Sequence, residues 1–434
     1  MLKALKIRLY PNKIQATQIN KLLGCYRFVY NQCLEKKIKS YKENETSETL
    51  TTLGHFFHNE LTKDERYSWL QEQNTKVLKQ SIRDLLDAYS HFFNEHNGFP
   101  KYKSKHDNKQ SCRFPLEAIS KRNDYSTHKL SLANIHNIKF RCSDEYVSYL
   151  VKNKEGIRSA TLSRSCSGQY YLSILVDGDF RKKLKVTDNT VGIDLGIKDF
   201  VVTSEGERFS NLHFKKSETN KLKRLQRQLS KKQKGSNNRN KARIRLAKLN
   251  ETIRNRKLNY LHEVSNTLLD ENQVIVMEDL NVKGMVKNHK LAESISEMNF
   301  GEFRRMLEYK ALWYGKYIVY VDRFYSSSKT CNHCGYINKN LKLSNRQWIC
   351  PQCGEIIERD YNAALNILEE GLRIIGSRTP EFTLVDYPTM DDRLSNEELK
   401  SSDRMKQEIK YMKFIDFHRI LYTVQVWEEQ VEGE

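Results

Sequence analysis

Hydrophobic and polar positions change their spacing several times along the chain, and each change predicts a different structural element. Residues 2–9 alternate as a β-strand does, whereas from Pro11 to about residue 96 apolar residues recur at helical spacing with basic residues between them. Gly98 and Pro100 break this pattern, and short alternating segments typical of β-strands follow. This order predicts a small β-domain that is interrupted by a helical subdomain.

A second unit is predicted to begin near residue 187, where TDNTVGIDLGIKDFVVTSEGERF has the pattern of a strand, a tight turn, a second strand and a hairpin turn. Residues 221–257 follow as two arms with modest apolar stripes around a loop of Gly, Ser and Asn, which predicts a helical hairpin. Glu251 is the only acidic residue in this segment. Because so one-sided a charge repels itself without an anion, we expect the hairpin to contact nucleic acid rather than only solvent.

Composition extends this interpretation to the whole chain. Its 434 residues, 38% of them apolar, can bury a sizeable core and predict two to four structural units. The 74 lysines and arginines exceed the 54 aspartates and glutamates by 20, which favours a polyanionic partner, with nucleic acid as the first candidate. No run of about 18 apolar residues occurs and lysines interrupt the apolar N-terminus, so we expect neither a membrane span nor a secretion signal. An acidic excess from Ser377 onward predicts an appendage outside the core.

Four of the nine cysteines form a metal-ligand pattern, C-x2-C-x15-C-x2-C, within KTCNHCGYINKNLKLSNRQWICPQCG. Two such knuckles can set the thiolates of Cys331, Cys334, Cys350 and Cys353 tetrahedrally around one Zn²⁺. Four protein ligands leave no open position, so the predicted zinc is structural and His333 is a surplus residue. The odd cysteine count and the missing secretion signal predict a reducing compartment, in which the other five cysteines are packing residues.

Acidic residues stand at the ends of predicted elements in three distant parts of the chain. Asp194 ends the apolar segment VGID, Glu278 and Asp279 follow the apolar run QVIVM, and Asp360 precedes the helical pattern YNAALNIL. Because side chains alternate along a strand, only one of Glu278 and Asp279 can face a shared site, and strand geometry leaves either possible. Converging carboxylates suit Mg²⁺, and a pair of such ions can activate water for phosphodiester cleavage.

Each acid also has a simpler interpretation. Asp360 could be only the N-cap of its helix, and Glu278 could be a surface acid at a strand end. Asp194 in GIDLG also fits the first strand of a sugar-kinase or actin-like ATPase fold. That fold predicts further Gly-rich phosphate loops later in the chain, and the sequence contains none.

Taken in order, the motifs GIDLGIKDF, IVMEDLNV, SSSKTCNHCG, WICPQCG and ERDYNAALNI resemble the TnpB (OrfB) proteins of insertion sequences, which are relatives of type V CRISPR effector nucleases. The N-terminal KIRLYPNKIQATQINKLLGCYRFVYNQCL and the segment GFPKYKSK are similar to the same family. The resemblance covers roughly residues 1–376, and the later residues match nothing in it. By position, Asp194, Glu278 and Asp360 correspond to the family's catalytic acids, which favours Glu278 over Asp279.

The resemblance implies a multidomain fold of mixed α+β and α/β class, with an RNase H-like (RuvC-type) nuclease domain, a zinc-finger insert and an N-terminal wedge-like β-barrel that a helical recognition subdomain interrupts. The expected boundaries are 1–10 and 98–186 for the barrel, 11–97 for the recognition subdomain, 187–330 for the first part of the nuclease with the basic hairpin at 216–270, 331–354 for the zinc finger, 355–376 for the last nuclease motif, and 377–434 for an acidic tail of unassigned role.

The family's activity implies an RNA-guided DNA endonuclease that binds a transposon-encoded guide RNA, reads a short motif beside its double-stranded DNA target, and cuts that DNA with two Mg²⁺ ions, for which Mn²⁺ can substitute. A channel for an RNA–DNA hybrid needs backbone charge and stacking platforms. The expected contacts are Tyr26, Arg27, Tyr30, Lys101, Tyr102, Lys103, Lys105, Lys221, Arg224, Lys231, Lys232, Arg243 and Arg359, although core packing is the competing interpretation for each aromatic residue.

Three other functions remain as alternatives. A guide-RNA-directed DNA-binding repressor would have lost an acid, whereas all three matching positions are acidic here. A CRISPR-associated descendant would share the same chemistry. A transposase acting directly on element ends is disfavoured, since the family resemblance assigns strand transfer to a separate enzyme. The resemblance implies a bacterial or archaeal cytoplasmic protein, and the oligomeric state stays open.

Overall fold

A computed structural model shows how the chain folds. Contacts divide it into two compact units, the first made of Met1–Phe180 with Thr219–Thr252 and the second of Arg181–Glu218 with the described residues from Ile253 onward. The predicted acidic tail, 377–434, lies outside the described residues. The structure describes residues 2–95, 97–107, 109–178, 184–287, 292–342 and 345–376.

The described part contains strands and α-helices in both units. The strands are β1 (Leu2–Tyr10), β2 (Lys109–Pro115), β3 (Lys129–Leu132), β4 (Ile135–Arg141), β5 (Ile157–Ser165), β6 (Tyr170–Asp177), β7 (Thr190–Asp194), β8 (Asp199–Thr203), β9 (Arg208–Ser210), β10 (Val274–Glu278), β11 (Tyr317–Val321), β12 (Gln347–Ile349) and β13 (Ile356–Glu358). The helices are α1 (Lys13–Asn44), α2 (Leu50–His55), α3 (Thr75–Glu95), α4 (Asp144–Lys152), α5 (Phe214–Ser217), α6 (Thr219–Ser230), α7 (Asn237–Glu271), α8 (Val282–Met285), α9 (Ala292–Met298), α10 (Phe300–Tyr314) and α11 (Arg359–Gly376).

The first unit is built around a six-stranded antiparallel sheet of order β2-β5-β6-β1-β4-β3. Along β1, the alternating residues Leu5, Ile7 and Leu9 are buried, as the sequence pattern predicts for a strand with one face in a core. The chain after β2 returns to the opposite edge, where Ile119 forms an isolated bridge with Leu132 of β3. The sheet therefore curls back on itself.

Helices α1 to α3 are inserted between β1 and β2 in the chain. Helix α1 begins just after Pro11 with a capping box, in which the Asn12 side chain accepts from the Gln15 N–H and the Gln15 side chain accepts from the Asn12 N–H. The apolar faces of α1 and α3 share one core with the sheet. In chain order, one strand is followed by these helices and then by the other strands of the sheet.

The basic hairpin consists of α6 and the first part of α7. The sequence-based boundaries place it inside the nuclease unit, whereas by contacts Thr219–Thr252 groups with the first unit. One reason is the lone acid of the segment: Glu251 accepts hydrogen bonds from Tyr171 Oη at 2.8 Å and from the Ser167 hydroxyl at the β5–β6 connection. The Glu251 carboxylate therefore anchors the helix to the sheet of the first unit. It is the single acid of Thr219–Thr252, so the basic residues of that segment have no other acid within it.

The second unit contains a five-stranded mixed sheet of order β11-β10-β7-β8-β9. Strand β10 runs parallel to β7 and β11, while β7, β8 and β9 form antiparallel pairs. Helix α11 packs directly on β7 and β10, since a Cβ at Gly192 would collide with the Ala364 carbonyl group and a Cβ at Gly371 would collide with Val276. The backbone of α11 thus lies close to the strands that carry the first two predicted acids.

A small ribbon lies between β11 and α11 in the chain. Strands β12 and β13 pair antiparallel, with Trp348 opposite Ile357, and both residues are buried beside Cys331 and Cys350. Within the part of the chain that the structure describes, no helix is both long enough and apolar enough to cross a membrane.

Candidate active site and metal centre

The three predicted acids lie at one edge of the five-stranded sheet. Asp194 is the last residue of β7 and Glu278 is the last residue of the parallel neighbour β10. The carboxyl ends of parallel strands meet at the same edge, so these side chains start from adjacent positions. Asp360 lies in the first turn of α11, the helix that packs on both strands.

Electrostatics show that the carboxylates share an anionic environment. Burial first, and then the charges of Glu278 and Asp360, raise the pKa of Asp194 to about 7, against the opposing effect of the Arg359 charge. Burial also raises the pKa of Glu278, against the opposing effect of a hydrogen bond from Ser327. A carboxyl group whose pKa is raised by burial and by neighbouring acids, as at Asp194, is typical of functional sites.

Asp360 faces two arginines. Its Oδ1 accepts from Arg359 Nη2 at 2.7 Å, and its Oδ2 accepts from Arg346 Nη1 at 3.1 Å. Asp360 lies inside the first turn of α11, one residue after Arg359, and is 8% exposed. Among the residues that the structure describes, only the four cysteines have ligand atoms all within 4.8 Å of one another, so the three carboxylates are spaced more widely.

Asp279 has a different environment from Glu278. Its carboxylate forms ion pairs with Arg304 and with Arg323, the latter at 2.7 Å. The hydrogen bond from Arg304 is the main reason that the pKa of Asp279 is lowered. The structure therefore places Glu278 beside Asp194 and engages Asp279 with arginines, which strand alternation alone could not decide.

The sequence missed two residues that contact the acids directly. The Ser327 hydroxyl donates a hydrogen bond to Glu278 Oε1 at 2.5 Å, and Arg346 forms an ion pair with Asp360. Both belong to the segment that the motif identified only through its cysteines. The run SSSK before Cys331 and the arginine before Trp348 were visible in the sequence, but nothing local connected them with acids that lie 49 and 14 positions away.

The four predicted zinc ligands come together. The Sγ atoms of Cys331 and Cys353 are 3.7 Å apart, and those of Cys334 and Cys350 are 3.5 Å apart. Zinc–sulfur bonds of about 2.3 Å in a tetrahedron require sulfurs roughly 3.8 Å apart, so the donor set fits a Zn²⁺ ion. His333 is not part of this group.

Glycines form the turns of both knuckles. Gly335 and Gly354 adopt φ values of 76° and 75°, a region that favours glycine, and their N–H groups donate to the carbonyls of Cys331 and Cys350. These turns direct the two cysteines of each pair toward a common point.

Comparisons with known proteins agree with this arrangement. A family model described as a probable transposase (OrfB_IS605) matches residues 173–289, a helix-turn-helix model of the same group matches residues 1–46, and a Cas12f1-like TNB domain model matches residues 300–367. A Streptomyces pristinaespiralis protein named a putative RNA-guided DNA endonuclease is 36% identical over 378 residues, covering 85% of this chain and 89% of the relative. The chain belongs to the TnpB (OrfB) family. The Escherichia coli K12 protein InsQ, also named a putative RNA-guided DNA endonuclease, is 29% identical over 86% of this chain and 93% of its own length.

Two solved structures share the fold of this TnpB-family chain. The Cas12f1 chain in a complex with single-guide RNA and target DNA gives a TM-score of 0.50 at 16% identity, covering 85% of this chain and 98% of the other. The mini RNA-guided endonuclease Cas_phi3 gives a TM-score of 0.51 at 9% identity, covering 86% and 92%.

Two of the aromatic residues expected to contact nucleic acid are buried in this TnpB protein. Tyr26 and Tyr30 are 1% and 3% exposed, and Tyr26 Oη donates to Asp84 Oδ2 at 2.7 Å. They lie on the inward face of α1, so neither presents a ring to a base in this structure. Lys103 is held inward as well, with its Nζ 3.7 Å from the centre of the Tyr30 ring.

Other predicted contacts are accessible in the first unit. Lys101, Tyr102 and Lys105 are exposed on the segment after α3, and Arg27 is half-buried. On the hairpin, Lys221, Arg224, Lys231, Lys232 and Arg243 are exposed, whereas Arg359, in the second unit, is half-buried against Asp360.

Helix α6 presents a basic surface that the sequence identified only in part. An open depression of about 350 Å³ is lined by polar and basic side chains, and a second depression of about 320 Å³ overlaps it. Lys223 and Arg227 line both, yet neither was among the predicted contacts, which in and just after this helix were Lys221, Arg224, Lys231 and Lys232. Lys223, Arg227 and Lys231 follow one another at intervals of four, so the helical period would have identified this face. The first depression is lined by Asn220, Lys223, Arg224, Arg227, Gln228 and Lys231.

Proposed function

We propose that this protein is an RNA-guided DNA endonuclease whose cutting site is formed by Asp194, Glu278 and Asp360. The observation that carries the site assignment is geometric: Asp194 and Glu278 end adjacent parallel strands, and Asp360 lies in the first turn of the helix that packs on both. The raised pKa of Asp194, caused by burial and by the other two carboxylates, supports it. Placing three acids in one partly desolvated region costs free energy, and a divalent cation would offset that cost. The activity itself follows from membership in a family whose S. pristinaespiralis and E. coli relatives carry that name.

The donor atoms fit Mg²⁺, because all three side chains offer carboxylate oxygens. Bound there, such ions would activate water and stabilise the leaving oxygen of a phosphodiester. The chain's own contribution is to hold the acids: strands β7 and β10 place the first two, and α11 places the third. Arg346 and Arg359 balance the charge of Asp360 and restrict the rotation of its carboxylate through hydrogen bonds to both oxygens.

Guide RNA and double-stranded target DNA are the proposed partners. The formal charge of +20 and the exposed basic face of α6 suit phosphate backbones, which dominate nucleic-acid affinity. We infer that guide pairing reads the target sequence while the protein reads a short adjacent motif and duplex shape.

The domain assignment is part of the proposal. Sheet β11-β10-β7-β8-β9 with α11 corresponds to the RuvC-type nuclease domain, and the curled six-stranded sheet corresponds to the wedge-like barrel. Helices α1 to α3 correspond to the recognition subdomain, and the four-cysteine ribbon, which fits structural zinc, corresponds to the insert before the last acid.

The test compares cutting with binding in four variants. Asp194→Ala, Glu278→Ala and Asp360→Ala each remove an anionic ligand, so Mg²⁺-dependent cleavage of guide-matched DNA should fall to background while gel-shift binding persists. Asp279→Asn, the control, changes a neighbouring acid that pairs with arginines and should keep most of the cutting. Wild-type protein that binds but never cuts, across adjacent motifs and with Mg²⁺ or Mn²⁺, would favour a guide-directed repressor instead.

A further inference from the structure

The motif ERDYNAALNI contains two asparagines whose spacing the proposed site does not explain. Asn362 and Asn366 lie four residues apart on α11 and are 5% and 1% exposed. Residues at this spacing share a helix face, and asparagine is a weak helix former. Two buried asparagines inside a helix therefore need hydrogen-bond partners that offset the free-energy cost of burying their amide groups.

Both side chains bind the segment that enters the zinc ribbon. Asn362 Nδ2 donates to the Thr330 carbonyl at 2.7 Å, and Asn362 Oδ1 accepts from the Asn332 N–H at 3.0 Å. Asn366 Nδ2 donates to the carbonyls of Ser327 and Thr330, each at 2.7 Å, and its Oδ1 accepts from Asn332 Nδ2 at 3.1 Å. We call this set, the two α11 asparagines with Ser327, Thr330 and Asn332, the asparagine clamp.

The clamp leads directly to a proposed metal ligand. Ser327, whose carbonyl accepts from Asn366, also donates a hydrogen bond from its hydroxyl to Glu278, with 2.5 Å between Oγ and Oε1. Ser327 is 5% exposed. The clamp also holds the residues on both sides of Cys331, the first zinc ligand. Helix α11 therefore carries Asp360 and also forms hydrogen bonds with the start of the zinc ribbon. Through Ser327 it positions the hydroxyl that contacts Glu278.

We propose that Asn362, Asn366 and Ser327 are positioning residues for DNA cleavage, which set the orientation of Glu278 relative to Asp360 and couple it to the zinc ribbon. This inference rests on the proposed function, because it takes Glu278 as part of the cutting site. The zinc ribbon then acts at the site through the clamp, since displacement of residues 327–332 moves the Ser327 hydroxyl away from Glu278.

Single-atom substitutions test the clamp. Asn366→Asp replaces a donor by an acceptor that faces two carbonyl oxygens, and Ser327→Ala removes only the hydroxyl, while Ser327→Thr retains it. Asn340→Asp is the matched control, because it makes the same chemical change at an exposed residue of the same ribbon. Each variant is purified as the ribonucleoprotein from cells that express the native locus, with thermal unfolding measured to establish that it folds.

Three readouts separate positioning from general stability. For Ser327→Ala, kcat for guided cleavage should fall at least about tenfold, the effect of losing one hydrogen bond to a charged group. Asn366→Asp should lower kcat by a similar factor, because it displaces Ser327 from Glu278. In both variants guided DNA binding should stay within about twofold of wild type. Electron paramagnetic resonance measures Mn²⁺ binding, and the binding that remains in Glu278→Ala is subtracted as background. The affinity of the remaining, site-specific binding should weaken by about the same factor as kcat. Zinc release to a chromogenic chelator should accelerate in Asn366→Asp but not in Ser327→Ala, whose carbonyl still binds the clamp.

The outcomes are distinguishable. Rescue of cutting and Mn²⁺ binding by Ser327→Thr, together with a silent Asn340→Asp, supports the inference. Normal cutting and Mn²⁺ binding in Ser327→Ala would overturn it while leaving the proposed function standing. Unchanged cutting in Glu278→Ala would instead overturn the proposed function at this site.

Discussion

Replacement of Asp194 by asparagine should stabilise the protein at neutral and alkaline pH while abolishing cutting. The folded state raises the pKa of this carboxyl from 3.8 to about 7, so ionisation is disfavoured in the folded chain. The stability that this group contributes is complete below pH 4 and is lost as the pH rises toward 7. An asparagine side chain at this position would be neutral at every pH and would avoid that loss.

The size of the effect follows from the two pKa values. The interval from 3.8 to about 7 corresponds to roughly 4 kcal/mol at pH 8, and we expect about 2–4 kcal/mol because the side chain keeps some solvent contact. At pH 5 less than half of this difference has developed, and near pH 3 almost none. The advantage of Asp194→Asn should therefore grow steadily between pH 4 and pH 7.

Urea unfolding in buffers free of added divalent ions measures this difference, without a strong chelator that would remove zinc. Asp279→Asn is the control of opposite sign, because Arg304 and Arg323 lower the pKa of Asp279 and stabilise its charged form. That variant should lose about 1 kcal/mol at pH 8 and recover toward wild type as the pH falls below 4. Adding Mg²⁺ at pH 8 should stabilise wild type but not Asp194→Asn. Equal stability of Asp194→Asn and wild type at pH 8, or shifts of the same sign in both variants, would refute the reasoning.

Further predictions concern the metal centre, the basic hairpin and the first unit. Metal analysis should find one tightly held zinc per chain, and Cys350→Ser should lower the zinc content and cutting while RNA still copurifies; active protein without zinc would contradict this. Alanine at both Lys223 and Arg227 should weaken guide-RNA binding and reduce the slope of log affinity against log salt by about 1.5, whereas an unchanged slope would place the RNA elsewhere. Tyr26→Phe should cost about 1 kcal/mol of stability through the lost hydrogen bond to Asp84 and leave RNA retention intact, since the ring is buried; lost retention in a folded variant would assign it a contact role.

Local sequence patterns were sufficient to predict individual strands and helices, and to predict the zinc site from the spacing of its cysteines. Alternation predicted β1, helical spacing predicted α1 and α3, and the spacing of the cysteines predicted a zinc centre, because each depends on residues within one or two turns or strands. The ordered acidic motifs identified the family and, through it, the candidate site.

Which side chains face one another was decided only by the tertiary structure. Helical spacing could not tell whether Tyr26 and Tyr30 face solvent or core, and the packing of α1 against α3 and the curled sheet buried them. The lone acid Glu251 anchors the hairpin to the first unit through Tyr171, a partner 80 positions away.

Tertiary contacts also decided between Glu278 and Asp279, and they gave the α11 asparagines their partners. Asp279 is held by Arg304 and Arg323, and Glu278 by Ser327, all of them outside the motif in which the two acids stand. Hydrogen bonds and ion pairs act over about 3 Å, so a residue's chemical role depends on neighbours that only the folded chain brings within that distance.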